Sequence, residues 1–173
     1  MVKKKVSFFA VLGMIVLGLF VFIILLPFVF TFAFPGRANG ISMTPTIKNG
    51  AFMLINMNAY TNKSPERGDI ISIDSGEHKN LIKRIIALPG ETIEWRDYEI
   101  WIDNQKLNEP YMFDKFTHTY KQTNQFDSVT LKENEYFVMG DNRSYSTDSR
   151  YFGPIKKDNI SGKVYCIFNF LSK

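Results

Sequence analysis

The sequence has one cysteine, Cys166, and two histidines, His78 and His118, in 173 residues. A single thiol forms no internal disulfide, although it leaves the redox compartment open. No His-x-x-His or Cys-x-x-Cys spacing occurs, so no metal site and no cofactor are expected. The histidines stand isolated in polar stretches, poor settings for a general base. A basic stripe with interleaved aromatics is also missing. Lys3, Lys4 and Lys5 supply three of the four net positive charges, and beyond Phe34 there are 18 Lys and Arg against 17 Asp and Glu. Nucleic acid is therefore not an expected partner.

Charge itself is absent from Val6 to Phe34. Crossing a hydrocarbon core takes roughly 20 apolar residues, and this stretch supplies more. Three lysines precede it, which by the positive-inside rule places residues 1–5 in the cytoplasm and everything after Phe34 outside. The apolar part of a cleavable signal peptide runs about 7–15 residues, so a retained anchor over residues 6–34 is the better reading. Thr31-Phe32-Ala33 is the one weak cleavage candidate. Pro27 marks a place where the helix can kink or end. The expected partner on this account is the lipid bilayer.

Residues 35–173 suit one domain with one core. Short apolar runs bounded by turn residues predict strands at Ala51–Asn56, Ile70–Ile73, Leu81–Leu88, Glu91–Trp95, Tyr98–Ile102, Val129–Leu131, Tyr136–Met139 and Ile160–Phe168. Asp103 to Lys106 reads as a turn. Asn108 to Ser128 is aperiodic and reads as loop or as part of a small lobe. No long amphipathic helix is evident. The expected fold is mainly β: an antiparallel, barrel-like catalytic domain with a small β-rich insertion over about residues 94–135, preceded by one transmembrane helix.

Two stretches carry chemistry. Ser42 lies in Gly40-Ile41-Ser42-Met43-Thr44-Pro45-Thr46, small and nearly uncharged, about eight residues beyond the apolar run. Lys83 and Arg84 sit inside Leu81-Ile82-Lys83-Arg84-Ile85-Ile86. On a strand they face opposite ways, so one cation is buried whichever face packs. Taken alone this is the pattern of an edge strand protected by charge. A lysine can deprotonate a serine only when neutral, and lowering its reference pKa of about 10.4 by three units takes roughly 4 kcal/mol. Burial among apolar side chains can supply that. Lys83 has such a setting; Lys163, preceded by Ser161-Gly162, is the weaker candidate. Cys166, inside an apolar strand, reads as an inert core thiol.

These residues resemble a known family. Ser42-Met43-Thr44-Pro45-Thr46 looks like the nucleophile box of bacterial type I signal peptidases. Arg67-Gly68-Asp69-Ile70, Lys83-Arg84 with Leu88-Pro89-Gly90-Glu91, and Gly140-Asp141-Asn142-Arg143 with Ser146, Asp148, Ser149 and Arg150 resemble the three following boxes. All four fall in family order.

The resemblance implies a membrane-anchored serine endopeptidase of the Gram-positive, single-span form. Its substrate would be the signal peptides of exported preproteins, cut after small residues at Ala-x-Ala sites on the outer face of the cytoplasmic membrane. Ser42 would be the nucleophile and Lys83 the general base. Ser146 would position the lysine amine, and Asp148 and Arg150 would form a supporting ion pair. Asp141, Asn142 and Arg143 would shape the same loop, and Arg84 would support the fold. Gly40, Ile41, Met43, Leu81 and Ile82 would flank the substrate, which could add as a strand beside the sheet. Some family members carry a serine two residues before the nucleophile. Gly40 stands there and offers no side-chain donor.

Overall fold

The computed structural model describes residues 8–32 (side chains to residue 24), 34–74, 76, 80–97, 99–112 and 128–169. Lys3, Lys4 and Lys5, His78, His118 and much of the expected insertion lie outside them.

A long helix, α1, runs Phe8–Phe32, and a short one, α2, runs Ser149–Phe152. α1 carries no charge and is apolar all round rather than amphipathic. It continues through Pro27 instead of ending there. Among the described residues no helix is long and apolar enough to cross a membrane.

The rest is mainly antiparallel β, as the composition of its short apolar runs predicts. The strands are β1 (Phe34–Arg37), β2 (Phe52–Asn56), β3 (Ile70–Ile73), β4 (Leu81–Ala87), β5 (Thr92–Arg96), β6 (Glu99–Ile102), β7 (Gln105–Lys106), β8 (Ser128–Thr130), β9 (Glu135–Met139), β10 (Ile155–Lys156) and β11 (Ile160–Phe168). Seven of them form one curled sheet in the order β1-β2-β11-β3-β4-β9-β10. The other four form a second sheet in the order β7-β6-β5-β8. Gln105 and Lys106, expected within a turn, are a short strand. The turn is Asp103-Asn104 alone, both at positive φ, the geometry of a two-residue hairpin.

β4 is not an edge strand. It lies between β3 and β9, with Lys83 opposite Ile71 and Arg84 opposite both Ile70 and Met139. Two cations in the middle of a central strand each need compensation other than water, and the site below supplies it.

The core follows the alternation of the strands. Ile71, Ile73, Ile85 and Val138 pack together with Tyr136 and Ile155. Ile55, Met53 and Val164 pack with Met43 and Ile47 from the loop that carries Ser42. Phe137, Met139 and Ile86 meet Ile93 and Ile100 of the second sheet and Leu131 just after β8, so the two sheets share one cluster. Burying a side chain such as Met43 or Ile47 contributes about 1.5–3 kcal/mol. These two therefore nail the serine loop onto the sheet.

Candidate active site

Ser42 sits in a turn held from both sides. The Thr44 N–H donates to the Ile41 carbonyl (3.1 Å) and the Ile47 N–H to the Met43 carbonyl (2.8 Å). From the far side, the Asn142 N–H donates to the Ser42 carbonyl (2.9 Å) and its side-chain amide to the Ile41 carbonyl (3.2 Å). Met43 is 3% exposed, so its side chain serves the core and turns Ser42 away from it.

Lys83 comes from the middle of β4 and is 3% exposed. Its Nζ lies 3.0 Å from Ser42 Oγ and donates to the Ile82 carbonyl at 3.2 Å. Among the described residues no carboxylate pairs with it. Burial pushes its pKa down; the charge of Asp148 pulls the other way, and Arg150 adds a smaller push downwards. The amine is thus biased towards the neutral form, within hydrogen-bond reach of a hydroxyl.

Lys163, the weaker candidate base, is paired with Asp69 at 2.5 Å. Its amine is committed to that ion pair, and it is Lys83 that reaches the Ser42 hydroxyl.

Arg84 has a different solution to the same strand. It grips Asp141 through two bonds, Nε to Oδ1 (2.8 Å) and Nη2 to Oδ2 (2.7 Å), and donates to the Gly68 carbonyl (2.8 Å). The Thr46 hydroxyl donates to Asp141 at 2.5 Å. One buried carboxylate therefore ties β4 to the loop of Ser42. Thr46 was legible only as part of a motif; its bond was not.

Asp148 and Arg150 form the expected ion pair, with both side chains almost fully buried. Asp148 also accepts the Gly140 N–H (3.0 Å), which fixes the loop after β9. Gly140 has no room for a side chain: a Cβ there would stand 2.5 Å from the Ser42 carbonyl oxygen and 2.6 Å from Ser146 Cβ. Ser146 is brought close to Ser42 in this way. Among the described residues its buried hydroxyl makes no hydrogen bond, and the expected bond to Lys83 is not formed.

The residues expected around a substrate are distributed unevenly. Gly40 and Ile41 are exposed, Leu81 and Ile82 are half-buried, and Met43 offers no side-chain surface. Cys166, half-buried on β11, is separated from β4 by β3. Sequence reasoning missed Glu109 and Tyr111. Glu109 binds Arg143 and Tyr111 stacks on Arg84. They lie in a stretch without periodicity, and nothing local marks them.

Ser42 thus presents its hydroxyl to a buried lysine that has no carboxylate partner among the described residues. Residues 10–169 match the family model described as signal peptidase, peptidase S26. The chain belongs to this family. It is accordingly a serine peptidase of the class that removes signal peptides. It is 34% identical to signal peptidase I of Bacillus licheniformis over 96% of this chain and 91% of that one. It is 34% identical to signal peptidase I S of Bacillus subtilis over 96% and 92%. The crystal structure of a signal peptidase I from Enterococcus faecalis superposes with a TM-score of 0.51 at 36% identity, covering 60% of this chain and 98% of the other.

Proposed function

We propose that Ser42 and Lys83 are the catalytic dyad of this signal peptidase, with Ser42 as nucleophile and Lys83 as general base. The observation that carries the reading is the 3.0 Å approach of a buried, carboxylate-free amine to a serine hydroxyl. As Ser42 Oγ attacks the scissile carbonyl carbon, its proton passes to Lys83 Nζ. When the C–N bond breaks, Nζ returns that proton to the leaving amine. Water then attacks the acyl ester, again through Nζ, and Ser42 regains its hydrogen.

The negative oxygen of each tetrahedral intermediate needs donors. The Ser42 N–H has no acceptor among the described residues and is available for this. Gly40, at φ +111°, can add no hydroxyl. Loss of one such donor typically costs about 10²–10³ in rate.

The substrate would be an exported preprotein cut after small residues, as at Ala-x-Ala. It would lie extended between Gly40-Ile41 on one side and Leu81-Ile82 on the other. The uncharged stretch of residues 6–34 would be the anchor, since crossing the hydrocarbon takes roughly 20 apolar residues. Residues 1–5 would lie in the bacterial cytoplasm and the peptidase domain on the outer face, where the cleavage site of an anchored preprotein emerges.

The test is cleavage of a preprotein bearing an Ala-x-Ala site by the detergent-solubilised full chain, beside Ser42→Ala and Lys83→Ala. Cutting after the second alanine by wild type alone is expected. Unchanged cleavage by both variants would sink the dyad; a bound but uncut preprotein would make the chain a binding module.

A further inference from the structure

The loop after β7 reaches back to the catalytic centre. Glu109 pairs with Arg143 through both guanidinium ends, and the two side chains are 7% and 0% exposed. Arg143 Nε donates to the Gly140 carbonyl at 3.0 Å. Gly140 in turn donates to Asp148, and Arg150 donates to the Arg143 carbonyl at 2.8 Å. Asp148 and Arg150 are the two charged groups that act on the Lys83 amine. A continuous chain of hydrogen bonds thus runs from Glu109 to the charges around Lys83.

A second arm starts two residues later. The Tyr111 ring lies under the Arg84 guanidinium, 4.1 Å from its centre, a cation–π contact that holds the group flat against Asp141. Arg84 adjoins Lys83 and, through Asp141 and Thr46, reaches the serine loop. The Tyr111 hydroxyl donates to Glu109 at 2.9 Å, which joins the two arms. Neither Glu109 nor Tyr111 touches Ser42 or Lys83. Both lie in the connection between β7 and β8 of the second sheet, outside every motif singled out in the sequence.

We propose that Glu109 and Tyr111 are positioning residues of the peptidase reaction, bracing the dyad through Arg143 and Arg84. The proposal rests on the Ser42–Lys83 reading. Its physical basis is that the dyad tolerates little displacement: a shift of about 1 Å in a reacting group can cost about 10²-fold in rate even when its cause lies outside the chemistry. Substrate binding beside Gly40 and Leu81 does not involve this clamp, so the loss belongs in kcat and not in KM.

The experiment measures kcat and KM for preprotein cleavage by the full chain in detergent, with folded protein quantified from its thermal transition. The variants are Glu109→Ala, Glu109→Gln, Tyr111→Ala and Tyr111→Phe, beside Ser42→Ala and Lys83→Ala. Expected are kcat losses of about 10- to 100-fold for the two alanine variants, with KM within about threefold. Glu109→Gln, which keeps an acceptor for Arg143, and Tyr111→Phe, which keeps the ring over Arg84, should each recover a large part of kcat. These isosteric variants carry the test if an alanine variant does not fold. Glu109→Gln no better than Glu109→Ala, together with Tyr111→Phe no better than Tyr111→Ala, would overturn the clamp. So would wild-type kcat per folded molecule in the alanine variants while Ser42→Ala and Lys83→Ala are dead. If those last two cleave normally, the dyad falls and the clamp with it.

Discussion

Gly140 lies so close to Ser42 that a methyl group on its α-carbon would stand 2.5 Å from the serine carbonyl oxygen. The contact is to backbone, so no rotamer change relieves it. The same carbonyl accepts the Asn142 N–H, and the Gly140 N–H is held by Asp148. The nucleophile and the loop that surrounds the base are thus set against each other with no space between them.

Gly140→Ala should therefore push the serine turn and the loop apart. A displacement near 1 Å predicts a loss of about 10²-fold in kcat for preprotein cleavage, with the chain still folded. Activity within about threefold of wild type would mean that the two loops slide independently.

The Arg84–Asp141 pair is buried, bidentate and shared with Thr46. Removing one partner of such a pair strands a buried charge. Asp141→Ala should cost about 3–5 kcal/mol of stability, read from denaturant unfolding, and should abolish cleavage. Thr46→Val removes only one hydroxyl from the network. Its cost should be about 1 kcal/mol, and a larger one would contradict this ranking.

Lys163 serves as the internal control for the choice of base. Its ion pair with Asp69 is about one-third exposed on the lysine side, and such pairs contribute about 0–1 kcal/mol. Lys163→Met should keep preprotein cleavage within about threefold of wild type, whereas Lys83→Met should abolish it. Loss of activity in both would mean that the two lysines are coupled.

Lys83 should also leave its mark on stability. Its folded pKa lies below the unfolded value, so between the two values the unfolded chain binds the extra proton. Stability contributed by this residue then rises with pH across that window and is lowest below it. Lys83→Met should raise the unfolding midpoint at neutral pH and flatten its climb towards about pH 10. An equal pH slope in wild type and variant would show that Lys83 is not the group responsible.

Most of the sheet was legible because its strands are short, apolar and punctuated. Ile160–Phe168 and Ile70–Ile73 emerged with their observed limits. Phe34–Arg37 did not, since a proline and a glycine in four residues hide a strand whose register comes from pairing with β2. The edge-strand pattern at Leu81–Leu88 misled for an instructive reason. Sequence shows two cations on a strand but not the buried carboxylate that accepts one or the hydroxyl that meets the other. Ser42, Lys83, Asp148 and Arg150 come together because their motifs lie on adjoining strands and loops. Glu109 and Tyr111 could not be read, because their partners are 34 and 27 residues away in the chain and they meet only after the lobe folds back.

The most direct test of the neutral-lysine account is the pH dependence of kcat/KM for preprotein cleavage by the full chain. A buried amine facing Asp148 and Arg150 predicts a rate that rises through an apparent pKa well below the roughly 10.4 of free lysine and then levels off. A rate still climbing near pH 10 would contradict the account, because Lys83 would then titrate like a lysine in water.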